Sequence, residues 1–386
     1  DTLELLVHDI FSVADAVSAK DGGTFSGTIA AAGYSSSTAG TSNYIAGVNA
    51  GNSITAGGNY NVTVGDEAGT ALTTGDDNTF VGYAAGDATT TATDNVAVGH
   101  DAFTANSTGG DNVAVGANAL MANTTAAGNT GLGYQALKTN TEGHSNVAVG
   151  KNSLKLSTTG DYNVAVGMNA LDANTTADNN TAVGYDALGA NTEGHSNVAV
   201  GTNALDANTT ADNNTAVGKA AGGAITTGGS NTFVGSLAGD ALDDSHNNVA
   251  VGVSALSANC GSDNVAIGKS AGASITGEHN TIMGYFAAGQ LSSGSRNLCL
   301  GHESGSALFS NGLFQLTNHN DRIVLGTTEA THAYIQIDWT VVSDERDKTE
   351  IEDMDEGLSL VNQMRPISYK FKTSREDDTP KGRKKY

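Results

Sequence analysis

Three histidines, His144, His195 and His246, stand 51 residues apart, each two residues before an Asn. Imidazole is a common metal ligand, and three chains side by side could bring three rings to one axis. Exposed turn histidines are the plainer reading, because a metal site also needs a converging outer shell; no metal is expected. Tyr83, Tyr134 and Tyr185 share the same interval, and Tyr285 likewise follows a Gly. Such a row could stack on sugars or simply present polar tips from a shaft. Asp-rich turns such as TTGDDN offer oxygen ligands, but the GGxGxD nonapeptide of calcium β-rolls is absent. Thr-rich coils raise ice binding, which needs a flat Thr array, whereas here Thr clusters with Asn in turns. Ser343 opens SDERDK, where a Ser followed by Asp344 and Glu345 reads as the capped first turn of a helix. No nucleotide loop, zinc spacing or clefted carboxylate pair is present, so neither an external substrate nor a cofactor is expected.

Whatever positions these residues is built from unusual material. Gly supplies 50 of 386 residues, Pro only 2, aromatics 5% and charged residues 15%, a composition that suits a repetitive small-residue β structure better than a globular enzyme. The net charge of −23 argues against nucleic acid and anionic membrane as partners. Cys260 and Cys299 are too few for a disulfide scaffold and read as reduced. No stretch approaches a membrane span, and no basic segment leads into an apolar run at the N-terminus. The chain opens on Asp1 where a Met would stand, from which an earlier start is expected.

The pattern Asn, any, any, apolar, Gly recurs every 17 residues from Asn61 to Asn248, then at Asn264, Asn280 and Asn297, with an irregular first copy at Asn43. A short fixed period means a solenoid whose coils bury apolar faces by stacking on their neighbours. Each coil reads as a strand (NVAVG), a turn, a second short strand at the Ala-Leu pair (Ala119 and Leu120, Ala170 and Leu171) and a longer turn. The strand is apolar on both faces, so one face lines the coil and the other needs cover from an identical chain. Register predicts an Asn ladder, because buried amides need partners. The motif Gly is expected to have positive φ or to meet the next coil closely. Sixteen coils between 43 and 301 at about 4.8 Å each make a shaft roughly 75 to 80 Å long. These coils resemble the SVAIG-like head repeats of trimeric autotransporter adhesins, which implies a parallel β-roll in a trimer.

At the N-terminus Leu3, Leu6, Ile10, Val13 and Val17 follow a heptad seam, which predicts a short coiled coil. Past Gly301 the register fades, with an echo in DRIVLG and an alternating strand in THAYIQIDWTVV. That strand, the SDxRxK core and MRPISYKF together resemble the self-cleaving intramolecular chaperone at the C-terminus of endosialidase spikes and many phage tail fibres. The resemblance implies Ser343 as nucleophile, Lys348 as general base, with Asp344 adjacent, and further chain beyond GRKKY.

The fold expected is all-β: a parallel β-roll or β-solenoid of 16–17-residue coils in a homotrimeric fibre, with a short N-terminal coiled coil and the start of an α/β chaperone domain. Its segments are a coiled-coil helix over 1–20, a Gly/Ser-rich β connection over 21–42, the shaft over 43–301, a β region over 302–342 and the first part of the chaperone over 343–386. The expected function is that of a viral tail or host-attachment fibre in the virion. Its partners would be two further copies, other tail proteins and a host receptor, a glycan among the candidates, with no nucleic acid and no membrane insertion. The alternative is an autotransporter-like adhesin on a bacterial surface.

Overall fold

The computed structural model describes residues 40–306, 316–327 and 329–330. The N-terminal coiled coil, the strand expected before Val342 and the segment from Ser343 onward lie outside the described residues. Among those described, seventeen three-residue strands form one parallel sheet, from β1 (Tyr44–Ala46) to β17 (Ile323–Leu325), and there is no helix. Each strand pairs with the next: Val96 with Val113, Ala97 with Ala114, Val98 with Val115. The Asn-to-Gly motif thus sets one strand per coil. The shorter coils at Asn248 and Asn264 keep the pairing with 16-residue offsets, Val249 to Val265 and Val265 to Thr281. β16 (Leu298–Leu300) pairs with β17 across 25 residues, so the stack continues beyond 301.

The Asn ladder forms. The Asn146 side-chain oxygen accepts from the backbone N–H of Asn163 at 2.9 Å and from its Nδ2 at 3.2 Å, and the same Nδ2 donates to the Ala177 carbonyl at 2.8 Å. The backbone-to-amide bond recurs from Asn61 through Asn297, and Arg322 continues it by donating its N–H to Asn297 at 3.0 Å. From Asn61 on these amides are buried, and because each oxygen bonds the next coil the register is fixed; the Asn248 Nδ2 alone in this column is buried without a partner.

The Ala-Leu pair departs from the strand expected of it. Asn118 and Leu120 have φ of 58° and 49°, so the backbone alternates into the left-handed region. Its hydrogen bonds still run between coils, Leu120 N–H to the Ala136 carbonyl at 2.9 Å and Ala122 N–H to the Lys138 carbonyl at 3.0 Å. The Leu column accepts only Gly, Leu, Phe or Ala along the described coils, and never a β-branched residue, which positive φ disfavours most.

The core is one side chain thick. The middle strand residue, usually Ala, faces inward with the Ala-Leu pair, and these side chains are buried. Volume is compensated along the stack. Where the strand brings Phe80, the Leu column holds Gly86, and a Cβ there would meet the Phe80 ring at 2.8 Å. Where the strand brings Ala97, that column holds Phe103, fully buried. Close packing explains the exchange, since neither a void nor an overlap is tolerated in so thin a core.

A second ladder runs through the Asn of the ANTT turns. Asn123 donates to Asn106 at 3.0 Å and Asn140 to Asn123 at 3.1 Å, while Asn191 donates to Asn174 at 3.1 Å and Asn208 to Asn191 at 3.0 Å. Between the two runs stands Ser157, whose buried hydroxyl has no partner, as does the facing Asn140 Oδ1. Ser157→Asn should close the gap and raise stability by about 1 kcal/mol, the net worth of a hydrogen bond, as read by chemical denaturation. A loss instead would show that the column has no room for an amide at that coil.

Candidate functional site

The outward face of the strand stack runs along all seventeen strands. Residues two and four of each motif point away from the core: in Val164–Val166 the middle Ala165 is fully buried, and Val166 is 36% exposed. Leu132, Val217 and Met283 on the same face are 45, 38 and 42% exposed. The outward positions hold Val, Thr, Leu, Ile, Met, Ala or Tyr on all seventeen strands and never a charged side chain.

The corner entering each strand carries a third bonded column, and here the histidines find their role. The ring Nδ1 of His144 accepts from the Ala127 backbone N–H at 3.1 Å, His195 from Asp178 at 2.9 Å and His246 from Gly229 at 2.9 Å. At other coils a carboxylate does the same work, as when Asp161 Oδ1 accepts from His144 N–H and Asp212 Oδ1 from His195 N–H, each at 2.6 Å. Histidine and aspartate are thus interchangeable acceptors that clip one coil to the next. Among the described residues no three His, Cys, Asp or Glu side chains are grouped so as to hold a metal.

Threonines are bonded in the same fashion. Oγ1 of Thr124 donates to the Thr141 carbonyl at 3.0 Å, Thr141 to Thr158 at 3.1 Å and Thr158 to Thr175 at 3.1 Å. The neighbouring exposed column, Thr125, Thr159 and Thr176, is interrupted by Glu142 and Glu193. These hydroxyls serve the stack, and no unbroken flat Thr array results.

Tyr83, Tyr134, Tyr185 and Tyr285 are 45 to 49% exposed at the corner leaving the strand. Tyr83 stacks on His100 with ring centroids 5.2 Å apart, and Tyr285 on His302 at 5.1 Å, so aromatics of adjacent coils pair along the axis. Hydrogen bonding to the Glu67 carboxylate raises the Tyr83 phenol, and Asp186 does the same to Tyr185. Cys260 and Cys299 are free and buried, and burial pushes their thiols up to about 12 and about 11. Both are therefore protonated at neutral pH and inert as nucleophiles. Among the described residues no helix is long and apolar enough to cross a membrane.

Sequence reasoning singled out the first Asn column but read the second as turn chemistry. Its signal was present, since Asn106, Asn123 and Asn140 also repeat at 17. The corner column was harder to see, because acceptors as different as His, Asp, Asn and Ser alternate in it.

Ser343, Asp344 and Lys348 lie outside the described residues, so their mutual geometry forms no part of this site. A family model described as chaperone of endosialidase matches residues 343–386, beginning at that serine. No curated protein and no solved structure matches the chain.

Proposed function

We propose that this chain forms the shaft and terminal chaperone segment of a viral tail or host-attachment fibre, assembled as a homotrimer. The observation that carries the reading is the union of two features in one chain. One is a parallel β-solenoid shaft, and the other is a C-terminal segment matching the endosialidase chaperone family. A rod of near-identical coils needs such a partner. Residues 163–179 and 197–213 differ at a single position, so chains slipped by two coils would pair almost as well as chains in register. A nucleus at one end removes that degeneracy.

In this reading Ser343 and Lys348 release the chaperone once it has acted. Lys348 in its neutral form takes the Ser343 proton, and the Oγ forms an ester with a neighbouring backbone carbonyl. The peptide C–N bond breaks, the amine leaves with the proton, and water hydrolyses the ester. Loss of the nucleus would leave the fibre kinetically trapped, because the path by which three chains found register is gone. The shaft would stand between the virion and a host receptor, a glycan among the candidates.

The test is the intact mass of protein expressed from the complete reading frame, beside its Ser343→Ala variant. Two fragments meeting at Ser343 in the parent, and one unbroken mass in the variant, are expected. A single unbroken mass in both would remove the dyad and leave the C-terminal segment as a permanent part of the fibre.

A further inference from the structure

The turn side of each coil, between the Ala-Leu segment and the next motif Asn, is stitched to the coil above by its own backbone. From Thr55 to Thr226 the N–H at one position of this turn bonds the carbonyl at the same position one coil up, as in Thr192 to Thr209 at 3.0 Å, Thr209 to Thr226 at 3.1 Å and Thr226 to Asp243 at 3.0 Å. The run stops at Asp243, whose own N–H bonds no carbonyl of the coil above. Thr209 adds a hydroxyl bond to the Thr226 carbonyl at 3.2 Å, whereas the Asp243 carboxylate has no proton to offer upward.

The cause lies in the coil above. The coil from Asn231 has 17 residues and the coil from Asn248 has 16, and the missing residue falls after Leu256, in this turn. Cys260 stands inward there, buried, with its Sγ 3.9 Å from Asn248 Oδ1. Asn231 Nδ2 bonds Asn214 Oδ1 at 3.0 Å and the Ser245 carbonyl at 2.8 Å, but the corresponding Asn248 Nδ2 is buried with no partner. Neither coil carries Lys or Arg to offset Asp240, Asp243, Asp244 and Asp263. What crosses on the turn side is the Ser245 hydroxyl to the Cys260 carbonyl at 2.5 Å, with three corner bonds: His246 N–H to Ser262 Oγ and Asp263 N–H to the His246 carbonyl, each at 3.0 Å, and Asn247 Nδ2 to Asp263 Oδ1 at 3.1 Å. The other sides stay closed, since Thr232 pairs with Val249 and Gly239 N–H bonds the Ala255 carbonyl at 2.9 Å. Where the 16-residue coil from Asn264 meets the 17-residue coil from Asn280, the turn side is closed too, by Thr276 N–H to the Ser292 carbonyl at 2.6 Å.

We propose that the interface between the coils of Asn231 and Asn248 is a built-in joint, whose turn side opens while its strand side stays paired, so that the shaft is two cooperative segments rather than one. In a stack held by nearest-neighbour contacts, cooperativity ends at the weakest interface. Opening on one side brings Cys260 to solvent and leaves the sheet continuous, so the shaft yields here without unfolding. The inference concerns the stack of a single chain and does not rest on the trimeric fibre reading.

Native-state hydrogen exchange of the full chain tests the joint. The Asp263 amide crosses it, and the Asn213 amide makes the same corner bond three coils earlier, to the His195 carbonyl at 3.1 Å. Corrected for intrinsic rates, Asp263 is expected to exchange about tenfold faster than Asn213 or more, and to depend little on denaturant below the unfolding transition. A repaired turn gives the second readout. Cys260→Thr with one threonine inserted before it restores 17 residues and the NTT of the other turns, and should bring the Asp263 amide within about twofold of Asn213. Equal protection of the two amides in the parent chain would overturn the joint, as would a folded repaired chain in which Asp263 exchanges as fast as before. If the repaired chain does not fold, the denaturant dependence in the parent decides: an Asp263 amide that exchanges only through global unfolding overturns the proposal.

Discussion

Gly150→Ala is expected to cost on the order of 3–5 kcal/mol, among the largest effects of any single methyl in the shaft. Two penalties coincide at this residue. Its φ is +132°, a region that a side chain rarely adopts, and a Cβ would stand 2.5 Å from the carbonyl oxygen and 2.7 Å from the carbonyl carbon of Gly167 in the next coil. Both obstacles are backbone, so no rotamer change can relieve them, and separating the coils would stretch the strand pairing between Val149 and Val166. Chemical denaturation reads the loss directly. A cost below about 1 kcal/mol would mean that neighbouring coils can part without penalty, against the close packing argued here.

Asn163→Ala should cost about 2–4 kcal/mol by a different route. The side chain joins three coils: its oxygen accepts from Asn180 N–H at 3.0 Å, and its Nδ2 reaches Asn146 at 3.2 Å and the Ala177 carbonyl at 2.8 Å. Ala177 keeps a second donor in Asn174 at 3.1 Å, so the group left bare is chiefly the Asn180 N–H. Hydrogen exchange can see this locally. The Asn180 amide should exchange much faster in the variant, while amides four or more coils away keep their protection. Unchanged protection at Asn180 would show that water replaces the amide at little cost.

Much of this architecture was legible in the sequence because one residue per coil repeats with nothing else at its place. The 17-residue spacing of Asn61 to Asn248 gave coil length, strand position and the first ladder together. The inward Ala and outward Val of NVAVG followed from the twofold alternation of a strand. The Ala-Leu segment was misread because two adjacent apolar residues resemble a strand, and nothing in the Leu itself announces a φ near +50°. The clue lay in its column, where Gly, Leu, Phe and Ala alternate and no β-branched residue appears. The Ser343 and Lys348 assignment rests on the family resemblance, because a serine before two acidic residues is also an ordinary helix cap.

Register joins these levels. One Asn column runs along the whole stack from Asn43 to Asn297, and a second Asn column and the mixed corner acceptors reinforce it over part of the coils. In the trimer proposed above, the uncharged outward strand residues repeat so closely that position along the axis would be poorly encoded. A solenoid so well specified internally, yet so degenerate externally, benefits from an assembly device at one end, and the chaperone match falls at the C-terminal end of the sequence.

The most direct measurement is the mass in solution of the Ser343→Ala chain, which keeps the C-terminal segment attached. Sedimentation equilibrium should give a single species of three chains at 38.8 kDa each, unchanged on tenfold dilution. One chain of 38.8 kDa, well folded and indifferent to concentration, would contradict the account, since a solitary rod needs no nucleus to set its register.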